Sequence, residues 1–202
     1  MAGLAQAISL LLPLKPNGLA RFAPQCSSWV FLASSGHGHA STDNYEGLAP
    51  AAEVAAGNST VCIVGALLLL AAARGAAAVV EQPANSCVFK FANLQADLLI
   101  VQASSVQTWL SAFSESVQCP KPPVLQGTSR WLGALCRNRP AQKFQTGQIY
   151  KQGLDRQVAR GPQLSSAAGY PLEFGLAAAT AVFFLLAVLL SQEQNCRVRK
   201  KK

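Results

Sequence analysis

Two long apolar segments dominate the pattern of hydrophobic and polar positions. Residues 61–80 read VCIVGALLLLAAARGAAAVV and carry a single charge, Arg74. Twenty residues in a helix extend over about 30 Å, the thickness of a bilayer's hydrocarbon core. Residues 174–190 carry no charge at all. Both segments are therefore candidates for membrane-spanning helices.

The first segment has two interpretations. An arginine near mid-membrane costs about 2.5–3.5 kcal/mol on insertion scales, and each leucine returns only about 0.5, so a span containing Arg74 is marginal. Alternatively, residues 61–73 form the apolar region of a cleavable signal and the alanines at 76–78 form its cleavage site. A transit peptide followed by such a signal is the layout of proteins sent across the thylakoid membrane. Both interpretations stay open.

The second segment predicts a transmembrane helix over residues 170–191. Tyr170 occupies the position of an interfacial aromatic residue, and Glu173 lies where a helix N-terminus favours an anion. The tail at 192–202 contains five cations against one acid, which predicts that it stays on the cytosolic, stromal or matrix side. Small residues at four-residue spacing allow close packing with another helix, and they are Gly175 with Ala179 and Ala177 with Ala181.

The N-terminal region lacks acidic residues until Asp43. Such a composition fits an organelle transit peptide, and the alternatives are a disordered tail and a secretory signal. We therefore assign residues 1–60 to a targeting or disordered presequence.

Between the apolar segments, residues 81–169 predict a small helical domain outside the membrane. Its longest helix is expected to begin near Asn93 and to end before Pro120. Apolar residues recur there at spacings of three and four, namely Leu99, Ala103, Val106, Leu110 and Phe113. Two shorter helices are predicted over residues 129–137 and 147–160. The predicted fold class is a mainly α membrane protein with one C-terminal transmembrane helix, a second apolar helix that is marginal or cleavable, and this helical domain.

Charge indicates a docking surface. Charged residues make up 13% of the chain and the net charge is +8, which disfavours a large acid–base enzyme or an acidic metal-binding protein. The cations of the middle region are assigned to partner docking, and they are Arg130, Arg137, Arg139, Lys143, Lys151, Arg156 and Arg160. They suit an acidic protein or anionic lipid headgroups. No nucleic-acid-binding module is visible, so no nucleic acid is expected, and the alternative is a merely solvated basic face.

The cysteines and histidines indicate no catalytic or metal site. The six cysteines include no C-x-x-C pair. A disulfide between Cys119 and Cys136 is feasible in an oxidising compartment, as is one between Cys87 and either of them. His37 and His39 are the only histidines, so histidine-based nucleophilic catalysis downstream of them is excluded. We predict no enzyme activity, and the sequence identifies no cofactor.

These features predict a non-catalytic accessory or assembly subunit of an organellar membrane complex. The thylakoid is the preferred location and the mitochondrial inner membrane the second. Its expected partners are membrane lipid, other membrane-protein subunits and an acidic soluble protein. One alternative is an adaptor or receptor of the endoplasmic reticulum membrane, whose basic tail resembles a retrieval signal. The other is a two-helix transport component in which Arg74 is a pathway charge.

Overall fold

The computed structural model describes residues 2–25, 29, 52–113, 122–138, 149–151, 157–159 and 172–181. Its helices are α1 (Ala2–Leu11), α2 (Ala52–Ala73), α3 (Ala92–Ile100) and α4 (Leu172–Ala181). Its strands are β1 (Leu19–Phe22), β2 (Ala77–Pro83), β3 (Ser104–Gln107), β4 (Pro123–Gly127), β5 (Ile149–Lys151) and β6 (Gln157–Ala159). Short 3-10 helices cover Val88–Lys90, Leu110–Ala112 and Arg130–Leu135.

Four strands form a mixed sheet in the order β1-β2-β4-β3. β1 pairs with β2 in parallel, and β4 is antiparallel to both β2 and β3. Strands β1, β2 and β3 therefore all run in the same direction. A separate antiparallel hairpin joins β5 to β6.

Each of these three strands follows a helix after a short turn, and the turns have defined causes. Gly75 has a φ of 70° directly after α2, a conformation that glycine adopts at little cost. There the amide of Gly75 donates to Ala72 O, and that of Ala76 donates to Ala71 O. Gln102 repeats the geometry after α3 with a φ of 52°. Three residues thus separate α2 from β2 and α3 from β3, and seven residues separate α1 from β1.

The main core lies between one face of the sheet and the helices. α1 and α3 both pack against α2, which lies over β2. Ala78 and Val80 point into this core, where they join Leu68 of α2 and Leu94 of α3. Alternate residues of a strand face opposite sides of a sheet, so Val79 points away from these helices.

A second core covers the opposite face. It contains Val79, Leu125 of β4, and Trp131, Leu132 and Leu135 of the third 3-10 helix. Phe174 of α4 is buried in it, and Ala177, Ala178 and Ala181 pack against it. These four positions recur at the spacing of one helix face. Strand β2 is therefore covered on both of its faces by apolar residues of the two cores.

Gly127 allows β2 and β4 to approach closely. A Cβ at this position would overlap Ala78 O. Next to it, Thr128 Oγ1 accepts a hydrogen bond from the amide of Ala78 at 3.0 Å, and the amide of Thr128 donates to Ala78 O at 3.0 Å. At this point a backbone and a side-chain hydrogen bond both join β2 to the end of β4.

The predicted fold class is wrong: the chain is a mixed α/β protein and not a mainly α membrane protein. Among the described residues, α2 is long and apolar enough to span a membrane by length and composition, but 39% of its most apolar window is buried inside the protein. The core helix of a soluble domain passes the same test. The apolar residues 76–80 do not extend this helix, because Gly75 ends the turn after it and β2 begins at Ala77.

The C-terminal transmembrane helix was part of this predicted fold class and is corrected with it. Its described part, α4, has Phe174 buried against the sheet. Residues 182–202, which contain the rest of the predicted helix and its basic tail, lie outside the described residues.

The prediction of a helical middle domain is also wrong. The helix expected from Asn93 to Pro120 ends at Ile100, and Leu99, predicted on its buried face, is 79% exposed. The buried face of α3 is formed by Leu94 and Leu98 instead. The range 129–137 contains a 3-10 helix, and strands β5 and β6 occupy the range predicted as a helix at 147–160.

Candidate docking site

The third 3-10 helix follows β4 and leads the chain to Arg137. This helix packs against β3, and its apolar side chains Trp131, Leu132 and Leu135 are buried. They anchor the segment on the face opposite α2. The chain then emerges at Cys136 and Arg137, both exposed.

The guanidinium of Arg137 is held from two sides. Its Nη1 donates hydrogen bonds to Ala134 O and Cys136 O, both at 2.9 Å. Its Cζ lies 5.2 Å from the centroid of the Phe113 ring, a distance that gives a cation–π interaction. Phe113 meets Phe174 edge to face at 5.2 Å between centroids. The guanidinium therefore packs on the Phe113 ring, and Phe113 packs in turn on Phe174.

The outer edge of this guanidinium remains available. No partner for its Nε and Nη2 is found within the described part of the chain, and the residue is exposed. Two parallel N–H groups on one edge of an arginine match the two oxygens of a carboxylate. The geometry therefore suits an acidic side chain arriving from solvent.

The other predicted docking residues are less defined. Arg130 lies in the third 3-10 helix and Lys151 in β5, with side chains outside the described structure. The remaining docking residues lie outside the described residues, and they are Arg139, Lys143, Arg156 and Arg160. The structure thus shows the side chain of one member of the predicted set.

The small residues of α4 divide between its two faces. Ala177 and Ala181 lie half-buried against the second core, while Gly175 and Ala179 are exposed. Their role in packing against another membrane helix stays a prediction. Cys136 is a free, exposed thiol, and Cys119 lies outside the described residues.

An ion pair joins the first two strands on the face opposite α2. Arg21 Nε donates to Glu81 Oε2 at 2.7 Å. Burial raises the pKa of the Glu81 carboxyl above its usual value, and the opposing effect of Arg21 does not cancel this. Glu81 is 4% exposed and Arg21 43%. Because Oε2 of Glu81 already binds Arg21, we assign this carboxylate a structural role.

Asp97 of α3 lies against Gly65 of α2, where a Cβ would overlap its Oδ2. Partial burial raises the pKa of Asp97. A lone carboxylate in a helix–helix contact lacks the second group that acid–base catalysis needs.

Cys87 is a poor candidate nucleophile. Burial raises the pKa of its thiol, and its Sγ donates to Trp29 O at 3.1 Å. The reactive form of cysteine is the thiolate, which such surroundings disfavour. Among the described residues there is also no group of three His, Cys, Asp or Glu side chains able to hold a metal ion.

Sequence reasoning missed Phe113 and Phe174 as supports for Arg137. It assigned Phe113 to a helix face and Phe174 to the start of a membrane span. No local pattern connects residues so far apart in the chain, because the contact depends on both packing against the same face of the sheet. Phe113 was predicted on the apolar face of a helix and Phe174 in a membrane span, and neither was predicted next to a cation.

Comparison with protein-family models, with curated proteins and with solved structures finds no significant match for this chain.

Proposed function

We propose that this protein is a non-catalytic accessory protein that docks an acidic segment of a protein partner, with Arg137 as its central contact. The observation that carries the proposal is the ordered Arg137 guanidinium, which is held by two carbonyls and the Phe113 ring and keeps its Nε and Nη2 edge free of partners among the described residues. A preorganised side chain loses little conformational entropy on binding.

Charge supports the same proposal. The chain carries a net charge of +8, and the segment that follows Arg137 continues with cations at 139, 143, 151, 156 and 160. Such a segment attracts an acidic partner from a distance and repels a basic one. Arginine is also among the residues that most often dominate interface energetics.

The wider context stays a prediction. The thylakoid or other organellar location and the membership of a membrane complex rest on the sequence pattern alone. The transport alternative needs α2 as a free membrane helix, and the packing of α2 between sheet and helices gives that alternative no support.

The test is a titration of a fluorescently labelled glutamate-rich peptide with the full chain. Binding is measured by fluorescence anisotropy at several salt concentrations. Hydrogen bonds to charged groups contribute about 1.5–3 kcal/mol, so we expect Arg137→Gln to weaken binding about tenfold or more. We expect Arg137→Lys to recover only part of this, because an ammonium cannot make the bidentate contact.

The matched control is Arg74→Gln, which removes an exposed cation from a different part of the fold. We expect it to bind the peptide nearly as the wild type does. Equal losses in Arg137→Gln and Arg74→Gln would show attraction by net charge alone and overturn the role of Arg137. Absence of peptide binding by the wild type would overturn the proposal as a whole.

A further inference from the structure

The three turns that join helices to strands lie at one end of the domain. β1, β2 and β3 run in the same direction, and each begins directly after one of these turns. α2 and α3 also run in the same direction, since Asn93 Nδ2 donates to Cys62 Sγ at 3.5 Å and Asp97 lies against Gly65 further along both helices. We call residues 10–18, 74–76 and 99–103 the turn end.

Two of these turns are fastened to each other. The amide of Asn17 donates to Gly75 O at 2.8 Å, and the amide of Ala77 donates to Gly18 O at 2.7 Å. Lys15 and Arg74 are therefore held in adjoining turns. Both are exposed, and no anionic partner for either is found in the described ranges.

Large apolar side chains are exposed at the same end. Leu10 is 69% exposed and Leu12 is 50% exposed at the end of α1, and Leu99 and Ile100 are 79% and 68% exposed in the last turn of α3. Leucines on a soluble surface are individually ordinary. Here three leucines and an isoleucine lie at the same end of the domain as two cations, which is the composition of a surface that enters a membrane interface.

The acidic groups near this end do not offset the cations. Asp97 lies one helical turn before Val101 and faces Gly65. Glu81 is buried with Arg21 near the far end of β2, on the other face of the sheet. The first 42 residues contain no acid. The turn end is therefore cationic as well as apolar.

We propose that the turn end binds the surface of an anionic bilayer peripherally, with its exposed leucines and isoleucine among the headgroups and with Lys15 and Arg74 paired to anionic lipids. Charge complementarity favours lipid over a second copy of this chain, because two such cationic ends would repel. The proposal is independent of the docking function, since Lys15 and Arg74 lie in the turns after α1 and α2, whereas Arg137 contacts Phe113, which packs against the second core.

This mode of binding leaves the fold intact. α2 remains in the core between the sheet and its neighbouring helices, and no segment needs to cross the bilayer. Affinity then depends on lipid charge and ionic strength, as it does for other interfacial proteins. A basic residue near an anionic surface contributes about a fivefold gain in partitioning.

The experiment is sedimentation of the full chain with vesicles of phosphatidylcholine alone and with vesicles containing phosphatidylserine. We expect binding to the anionic vesicles, reduced by high salt. The double variant Lys15→Gln, Arg74→Gln should lower the partition coefficient by about tenfold or more. Leu12→Gln with Ile100→Gln should lower it by at least about fivefold at any salt concentration.

Two matched controls remove the same kinds of group elsewhere. Arg137→Gln removes an exposed cation, and Leu176→Gln removes a leucine of α4 that is 57% exposed. Both should bind vesicles as the wild type does. Circular dichroism checks that each variant is folded, and single substitutions replace any double variant that is not.

Three results would overturn the proposal. They are a wild type that does not bind anionic vesicles, turn-end variants that bind as well as the wild type, and control variants that lose as much affinity as the turn-end variants. Binding through the turn end to a protein instead of lipid would appear as the first of these.

Discussion

At the scale of single residues, the two partners of the Arg21–Glu81 ion pair differ in burial, and therefore in the cost to stability of losing each one. Glu81 is almost fully buried, and Arg21 retains 43% of its exposure. Loss of the arginine leaves a buried carboxylate without a partner, whereas loss of the carboxylate leaves an arginine that water can still reach. The two substitutions therefore differ in cost.

We predict that Arg21→Gln destabilises the protein more than Glu81→Gln at pH 7. The expected difference is about 1–2 kcal/mol, which is less than for a fully buried pair because Arg21 is partly solvated. Urea unfolding followed by circular dichroism measures both free energies of unfolding. If Glu81→Gln proved the more damaging, the ion pair would stabilise the fold through its charge.

The same pair predicts a pH dependence. The pKa of Glu81 is raised in the folded state, so its contribution to stability is complete below the pKa of the unfolded chain and declines as pH rises through the folded value. Arg21→Gln removes the opposing cation and should steepen this decline. Glu81→Gln should abolish the part of this decline that is due to the Glu81 carboxyl. If the free energy of unfolding of Glu81→Gln declined with pH as steeply as that of the wild type, the decline would not come from Glu81.

At the scale of elements, the ends of the helices decide the fold. The sequence pattern correctly indicated an apolar helix through residues 61–73, but it extended that helix to Val80. The structure ends it at Ala73, and Gly75 in the chain was an available signal for a helix C-terminus. The continuous apolar run at 76–80 concealed β2, because a strand buried on both faces shows no alternation.

Other elements left weaker signals. Gln102 adopts a positive φ after α3, and no residue preference predicts that for glutamine. β3 is a short run of mostly polar residues that depends on pairing with β4. The pattern of Leu99, Val106 and Phe113 thus fitted a helix period that the tertiary structure does not use. Arg137 was predicted from charge alone, whereas its supports required the fold.

Two substitutions at these helix ends should have opposite effects. Gly75→Ala places a Cβ on a residue with φ 70° and should destabilise the protein by about 1 kcal/mol. Gln102→Gly relieves the same strain after α3 and should stabilise by up to about 1 kcal/mol. Thermal unfolding measures both, and Gly133→Ala is the control, because a Cβ there meets no atom within 4 Å. Effects of the same sign at Gly75 and Gln102 would contradict this account of helix termination.

At the scale of the whole molecule, the N-terminal segment is part of the domain. β1 forms one edge of the sheet, Leu11 and Ala20 are buried in the main core, and Trp29 meets Phe91 edge to face at 5.3 Å. Apolar residues at 61–80 that indicated a membrane span belong instead to the packing of α2 on β2 and to the two cores that cover β2. Among the described residues, exposed cations occur both at the turn end and at Arg137, and the two sites differ in their apolar surroundings.

The central claim is that α2 is the core helix of an α/β domain, and amide hydrogen exchange of the full chain without detergent or lipid tests it most directly. The account predicts that the amides of α2, β1 and β2 are protected together and lose protection together as denaturant is added, because they share one core. Exchange of β1 and β2 at unfolded-chain rates, with α2 protected only after vesicles are added, would contradict it and restore the membrane-spanning interpretation.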